Sequence, residues 1–161
     1  MLSSKIRQGR CKMYKILIVD DESIEREGIS FLIEKYKLPL EVAQATNGKT
    51  ALEYMRTHPI DILLTDVKMP QMDGLELARH TFEKYPDVRI LVFSAYGEFE
   101  FAKKAMAAQA VSYLLKPIEV DEFQRVMAQI LAQCDELAEK KKDEQQRGEE
   151  YRQQLLFRLV T

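Results

Sequence analysis

Apolar, β-branched runs recur along the chain at residues 16–19, 42–45, 60–65, 90–93 and 111–115. Between them the apolar positions fall at helical spacing. Ile24, Gly28, Phe31, Leu32 and Tyr36 fit one helix face, and Ala51, Leu52 and Met55 a second. Leu75, Ala78 and Phe82 fit a third, Ala102, Ala105 and Met106 a fourth, and Phe123, Val126, Met127 and Ile130 a fifth. Asp73 precedes the third face, with Glu76 three positions on, which predicts an N-terminal cap. Strands alternating with helices five times predict an α/β fold, a parallel sheet covered on both faces. Right-handed crossovers leave few topologies for such a sheet, and its ligands sit at the carboxyl ends of the strands.

Two of the runs end in acids at those positions: the first in Asp20 and Asp21, the third in Asp66. If their strands are parallel neighbours, three carboxylates converge at one mouth. Like charges so placed are unfavourable unless a cation neutralises them, so the pattern predicts a metal. Taken singly, an acid pair after a strand also suits a cap or turn.

After residue 133 the composition changes. Residues 135–152 are densely charged with both signs and interrupted by Gly148. Phe123, Val126, Ile130 and Leu137 continue a rough heptad, so the fifth helix is expected to run on as a solvated linker or a short dimer stalk. Leu155, Leu156, Leu159 and Val160 make the last stretch amphipathic again, a face that needs something to bury against. The chain thus reads as a piece of a longer protein or as one half of an interface. Residues 1–13 form a tail carrying Lys5, Arg7, Arg10 and Lys12 without an acid, compatible with a nucleic-acid arm but with too few charges to require one.

The bulk numbers fit this division. The 161 residues suffice for one domain of about 100–150 residues with an appendage. A net charge of −2 gives no global drive toward nucleic acid or membrane. No apolar stretch is long enough to span a bilayer or serve as a signal peptide, so the expected location is the cytoplasm. Cys11 and Cys134 are isolated, without the spacing of a zinc site or a disulfide framework.

Four motifs in order carry a family resemblance: YKILIVDDE at 14–22, LTDVKMPQMDG at 64–74, FSAYGEFEFA at 93–102 and SYLLKP at 112–117. Together they resemble the receiver domain of two-component response regulators, over residues 14–133. The resemblance implies a flavodoxin-like (βα)5 fold, a doubly wound parallel sheet of order 2-1-3-4-5, followed by a helical extension over 134–161 toward an output domain missing from the chain. It implies that Asp66 accepts a phosphoryl group from a sensor histidine kinase. It further implies that Asp20, Asp21, Asp66 and the backbone carbonyl of Lys68 hold Mg²⁺, that Ser94 and Lys116 contact the phosphoryl oxygens, and that the bond before Pro117 is cis. Ser94 and Tyr113 match the family's switch pair, and Lys68 and Tyr96 match positions that tune dephosphorylation. The face that changes, and a possible homodimer surface, is the fourth helix, fifth strand and fifth helix, with the C-terminal helix as the other dimer candidate.

SAYGEFEFAKKAM, YLLKPIEVDEF and the charged linker resemble the subgroup whose receiver precedes an AraC-type pair of helix-turn-helix motifs. DNA would then be reached only through that output domain. A stand-alone receiver acting by protein contact or phosphorelay is the alternative. A Mg²⁺-dependent aspartyl phosphatase fits poorly, because the position two residues after Asp66 is Lys68 rather than an acid. No enzyme activity is expected beyond the protein's own phosphorylation and dephosphorylation.

Overall fold

The computed structural model describes residues 12–95, Glu100 and residues 111–160. Five strands, β1 (Tyr14–Val19), β2 (Leu40–Ala45), β3 (Ile62–Asp66), β4 (Arg89–Ser94) and β5 (Val111–Leu115), form one parallel sheet in the order β2-β1-β3-β4-β5. Three helices, α1 (Ser23–Lys35), α2 (Gly48–Thr57) and α3 (Gly74–Lys84), fill the first crossovers. A C-terminal helix, Val120–Val160, follows β5 and runs 41 residues without a break. The architecture is the flavodoxin-like one expected. The fourth helical face at Ala102, Ala105 and Met106, residues 1–11 of the N-terminal tail with Cys11, and Tyr96 lie outside the described residues.

Strand position explains strand composition. All of β3 is buried and β4 nearly so, because helices cover both faces of the central strands and a solvent-facing alternation has no place there. The edge strands β2 and β5 are more exposed. Alternation instead sorts side chains between two cores. Ile16, Ile18, Ile62, Leu64 and Phe93 pack against Ile29 and Ile33 of α1 and against Phe123, Met127, Ile130 and Cys134 of the C-terminal helix. Leu17, Val19 and Leu63 point the other way, onto Ala51 and Met55 of α2 and Leu77 of α3.

Two helix faces differ from the expected ones. On α1 the buried positions are Ile29 and Ile33, whereas Ile24 is 75% and Phe31 61% exposed. Helical spacing allowed both stripes, and the helix turned the one with Ile29 and Ile33 inward. On α3 the buried stripe is Gly74, Leu77, Ala78 and Thr81, with Phe82 at the rim. Asp73 caps that helix as read, its Oδ1 accepting the Glu76 amide at 2.8 Å. Among the described residues no helix is long and apolar enough to cross a membrane.

Candidate functional site

Strand register assembles the acidic mouth. Val19 of β1 is paired with Thr65 of β3, so the next residues, Asp20 and Asp66, emerge side by side. Asp66 in turn pairs with Phe93, which sets Ser94 one residue further along the neighbouring strand. Lys116, immediately after β5, is tied in by its amide, which donates to the Ser94 carbonyl at 2.8 Å. The Lys116–Pro117 bond is cis. The loop after Asp66 doubles back tightly: the Gly74 amide donates to the Val67 carbonyl at 2.8 Å, and a Cβ on Gly74 would collide with the backbone carbonyl of Asp66. Only glycine fits there, which gives the DG of LTDVKMPQMDG its physical reason.

Asp20 and Asp66 are buried and Asp21 is exposed. One carboxylate oxygen from each lies within 4.8 Å of the others. Asp20 Oδ1 accepts the Glu22 amide at 2.8 Å, but its Oδ2 is buried without a hydrogen-bond partner. Ser94 Oγ is likewise buried and unpartnered. Lys116 Nζ lies 3.3 Å from Asp66 Oδ1, 3.9 Å from Asp20 Oδ2 and 2.9 Å from Glu25 Oε2. It also sits over the Phe93 ring, 4.7 Å from the centroid. Lys68 stands exposed at the rim of this cleft, whose volume is about 560 Å³. Tyr113, on edge strand β5, is half-buried, and burial raises its phenol pKa.

The electrostatics describe a site short of positive charge. Burial drives the Asp20 carboxyl up to about 7; the Glu22 amide opposes this, the Asp66 charge adds to it, and Lys116 offsets part. Burial also raises the Asp66 carboxyl, against the pull of Lys116. Burial alone would lower the Lys116 ammonium, but its hydrogen bond to Glu25 and the fields of Asp66, Glu25 and Asp20 leave it above the ordinary lysine value. Three carboxylates that each bring one oxygen to a common point, beside a buried Asp20 Oδ2 without a hydrogen-bond partner, fit a hard divalent cation.

Similarity to known proteins decides the family. The model of the response regulator receiver domain matches residues 16–128. The chain belongs to the response regulator receiver family. This receiver is 41% identical over 122 residues to the transcriptional regulatory protein YesN of Bacillus subtilis, covering 75% of the chain and 33% of YesN. It is 31% identical over 118 residues to the transcriptional regulatory protein DegU of Brevibacillus brevis, covering 71% of the chain and 50% of DegU. The chain thus spans between a third and a half of the length of these two curated relatives. Among solved structures, the two component transcriptional regulator AraC of Clostridium phytofermentans superposes with a TM-score of 0.71 at 35% identity, over 76% of this chain and 96% of that one. The receiver domain of AraT, a response regulator of Geobacillus stearothermophilus, gives 0.70 at 37%, over 81% and 99%.

The structure brings Asp20, Asp21, Asp66, Ser94 and Lys116 to one mouth, with Lys68 at its rim. Tyr113 stands one strand over. Sequence reasoning missed three neighbours. Glu25 and Arg26 lie on the first turn of α1, and Arg26 Nη1 donates to the Asp20 carbonyl at 2.5 Å. Phe93 lies beneath Lys116. No local spacing signals Glu25: Asp21 precedes α1, and the contact with Lys116 is made only in the folded chain.

Proposed function

We propose that this receiver is a phosphorylation-dependent switch of a two-component system, with Asp66 as the phospho-acceptor. The observation that carries the reading is the pairing of Lys116 Nζ with Asp66 Oδ1 at 3.3 Å, beside the unpartnered Asp20 Oδ2 and Ser94 Oγ. An Asp66 oxygen attacks phosphorus, the phosphorus–nitrogen bond to the kinase histidine breaks, and the imidazole leaves with its electron pair. Asp20, Asp21, Asp66 and the backbone carbonyl of Lys68 would hold Mg²⁺, which supplies charge neutralisation at the phosphoryl oxygens when bound. Lys116 presents a point charge to one phosphoryl oxygen and Ser94 a hydroxyl donor to another. Drawing Ser94 toward the phosphoryl group frees space for Tyr113 to rotate inward, a bias between two packings. Lys116–Pro117 carries the cis bond that turns the chain at this point.

The donor must bring its phosphohistidine to Asp66, so it must cover the rim. Beside the mouth, Ile24, Phe31, Leu32, Pro117 and Ile118 line an apolar groove of about 470 Å³. The outward turn of Ile24 and Phe31 thereby gains a purpose: a docking site for the sensor histidine kinase. The receiver would occupy residues 14–133 and act in the cytoplasm. Residues 134–161 would link it to a DNA-binding output domain of AraC type, and the exposed Tyr151, Leu156, Leu159 and Val160 would pack against a second copy. A stand-alone receiver is the alternative to this output.

Intact mass after incubation with Mg²⁺ and acetyl phosphate tests the reading. The chain should gain one phosphoryl group, about 80 Da, and Asp66→Asn none. Labelling of the variant to the same extent would remove Asp66 as acceptor.

A further inference from the structure

Lys116 is shared, and its shortest ion pair is not with the phospho-acceptor. Nζ lies 2.9 Å from Glu25 Oε2 against 3.3 Å from Asp66 Oδ1. Glu25 stands on the first turn of α1 with its side chain 31% exposed, reaching across the mouth from the strand β1 side to a lysine on the β5 side. Lysine is a compact charge on a flexible four-carbon stem, so the anions around it decide where its head rests. The Phe93 ring limits its movement from below.

We propose that Glu25 is a positioning residue for the phosphoryl site, holding the Lys116 ammonium in the unphosphorylated protein and competing with the phosphoryl group for it. The inference rests on the reading of Asp66 as phospho-acceptor. Phosphorylation replaces the single negative charge of the Asp66 carboxylate with one and a half to two on the phosphoryl oxygens, a net gain of up to about one. To serve it, Lys116 must give up part of its contact with Glu25. The Glu25 carboxylate is left facing a like charge. Both effects favour the unphosphorylated state. Glu25 therefore sets how readily the site fills, without touching the reacting atoms itself.

Glu25→Gln keeps the shape of the side chain and removes the charge. In the intact chain it should raise the affinity for Mg²⁺-dependent beryllofluoride, and the initial rate of labelling by acetyl phosphate, about twofold to fivefold, the range for a partly exposed ion pair. The gain should shrink in a Lys116→Met background, where only the like-charge repulsion from Glu25 remains, while the thermal midpoint of Glu25→Gln stays close to that of the wild type. No gain in the wild-type background, or an equal gain in both, overturns the role of Glu25. A wild type that takes neither beryllofluoride nor a phosphoryl group removes the acceptor reading and this inference with it; a wild type that takes both, with an unmoved Glu25→Gln, removes this inference alone.

Discussion

At the amino ends of the strands, polar groups find partners. Tyr14 Oη donates to Asp135 Oδ1, the Asp61 carboxylate accepts the Lys15 amide at 2.9 Å, and Lys141 pairs with Asp87 at 3.1 Å. At the carboxyl ends two atoms do not: Asp20 Oδ2 and Ser94 Oγ are buried without a hydrogen-bond partner. Toward the amino end, Arg89 Nε is the one comparable atom among the described residues, on a guanidinium whose Nη2 still donates to the Pro86 carbonyl. An unsatisfied buried polar atom costs about 1–3 kcal/mol. Such a cost is sustained where a ligand will later meet the atom. One end of the sheet is built to hold together, the other to be completed.

Substitutions should therefore act with opposite sign in the packed body and at the mouth. The largest effect on stability is expected at Phe123, which is fully buried in the core under α1 and the C-terminal helix. Phe123→Ala should cost about 3–5 kcal/mol, from lost burial and the cavity left behind. Urea unfolding measures it, and a loss below about 1 kcal/mol would mean that the C-terminal helix docks less firmly than its contacts indicate.

Asp20→Asn should do the reverse, stabilising the Mg²⁺-free protein by about 1–3 kcal/mol at pH 8 through relief of a buried charge that Lys116, 3.9 Å away, only partly offsets. The pH dependence follows from the raised carboxyl, up to about 7. A carboxyl held above its unfolded value makes the native state bind the extra proton. Its penalty is absent below the ordinary carboxylate range and grows as pH rises through about 7. Without Mg²⁺ the thermal midpoint should fall between pH 5 and pH 8. Asp20→Asn should flatten much of that slope, with Asp66 responsible for the remainder. A midpoint that rises over this interval would sink the account of the mouth as charge-strained.

The body was more legible in the sequence than the detail of the mouth. The five apolar runs marked the strands because central parallel strands are buried on both faces and carry no competing polar alternation. The acids that end two of those runs marked the site, since adjacency and register in a parallel sheet bring equivalent ends together. Ile24 and Phe31 were misread as core because spacing defines a stripe but not which of two stripes turns inward. Glu25 was missed for a related reason. Its relation to Lys116 spans 91 positions along the chain and exists only once the sheet has brought the carboxyl ends of its strands to one mouth. The length of the C-terminal helix was half legible. Its heptad ran through Leu137, whereas its continuation past Gly148 follows a charged surface that helical spacing does not distinguish from a linker.

The smallest effect belongs to the amino end beyond the core. Lys141 and Asp87 pair at 3.1 Å with side chains 63% and 57% exposed, so water screens them. Lys141→Ala should cost about 0.2–1 kcal/mol, and less in high salt. Phosphorylation by acetyl phosphate should not change, because the pair lies at the far end of the sheet from Asp66. Equilibrium unfolding at two salt concentrations, beside the labelling assay, checks both halves. A labelling rate that moved with Lys141 would show that the two ends are coupled through the C-terminal helix rather than separate in their work.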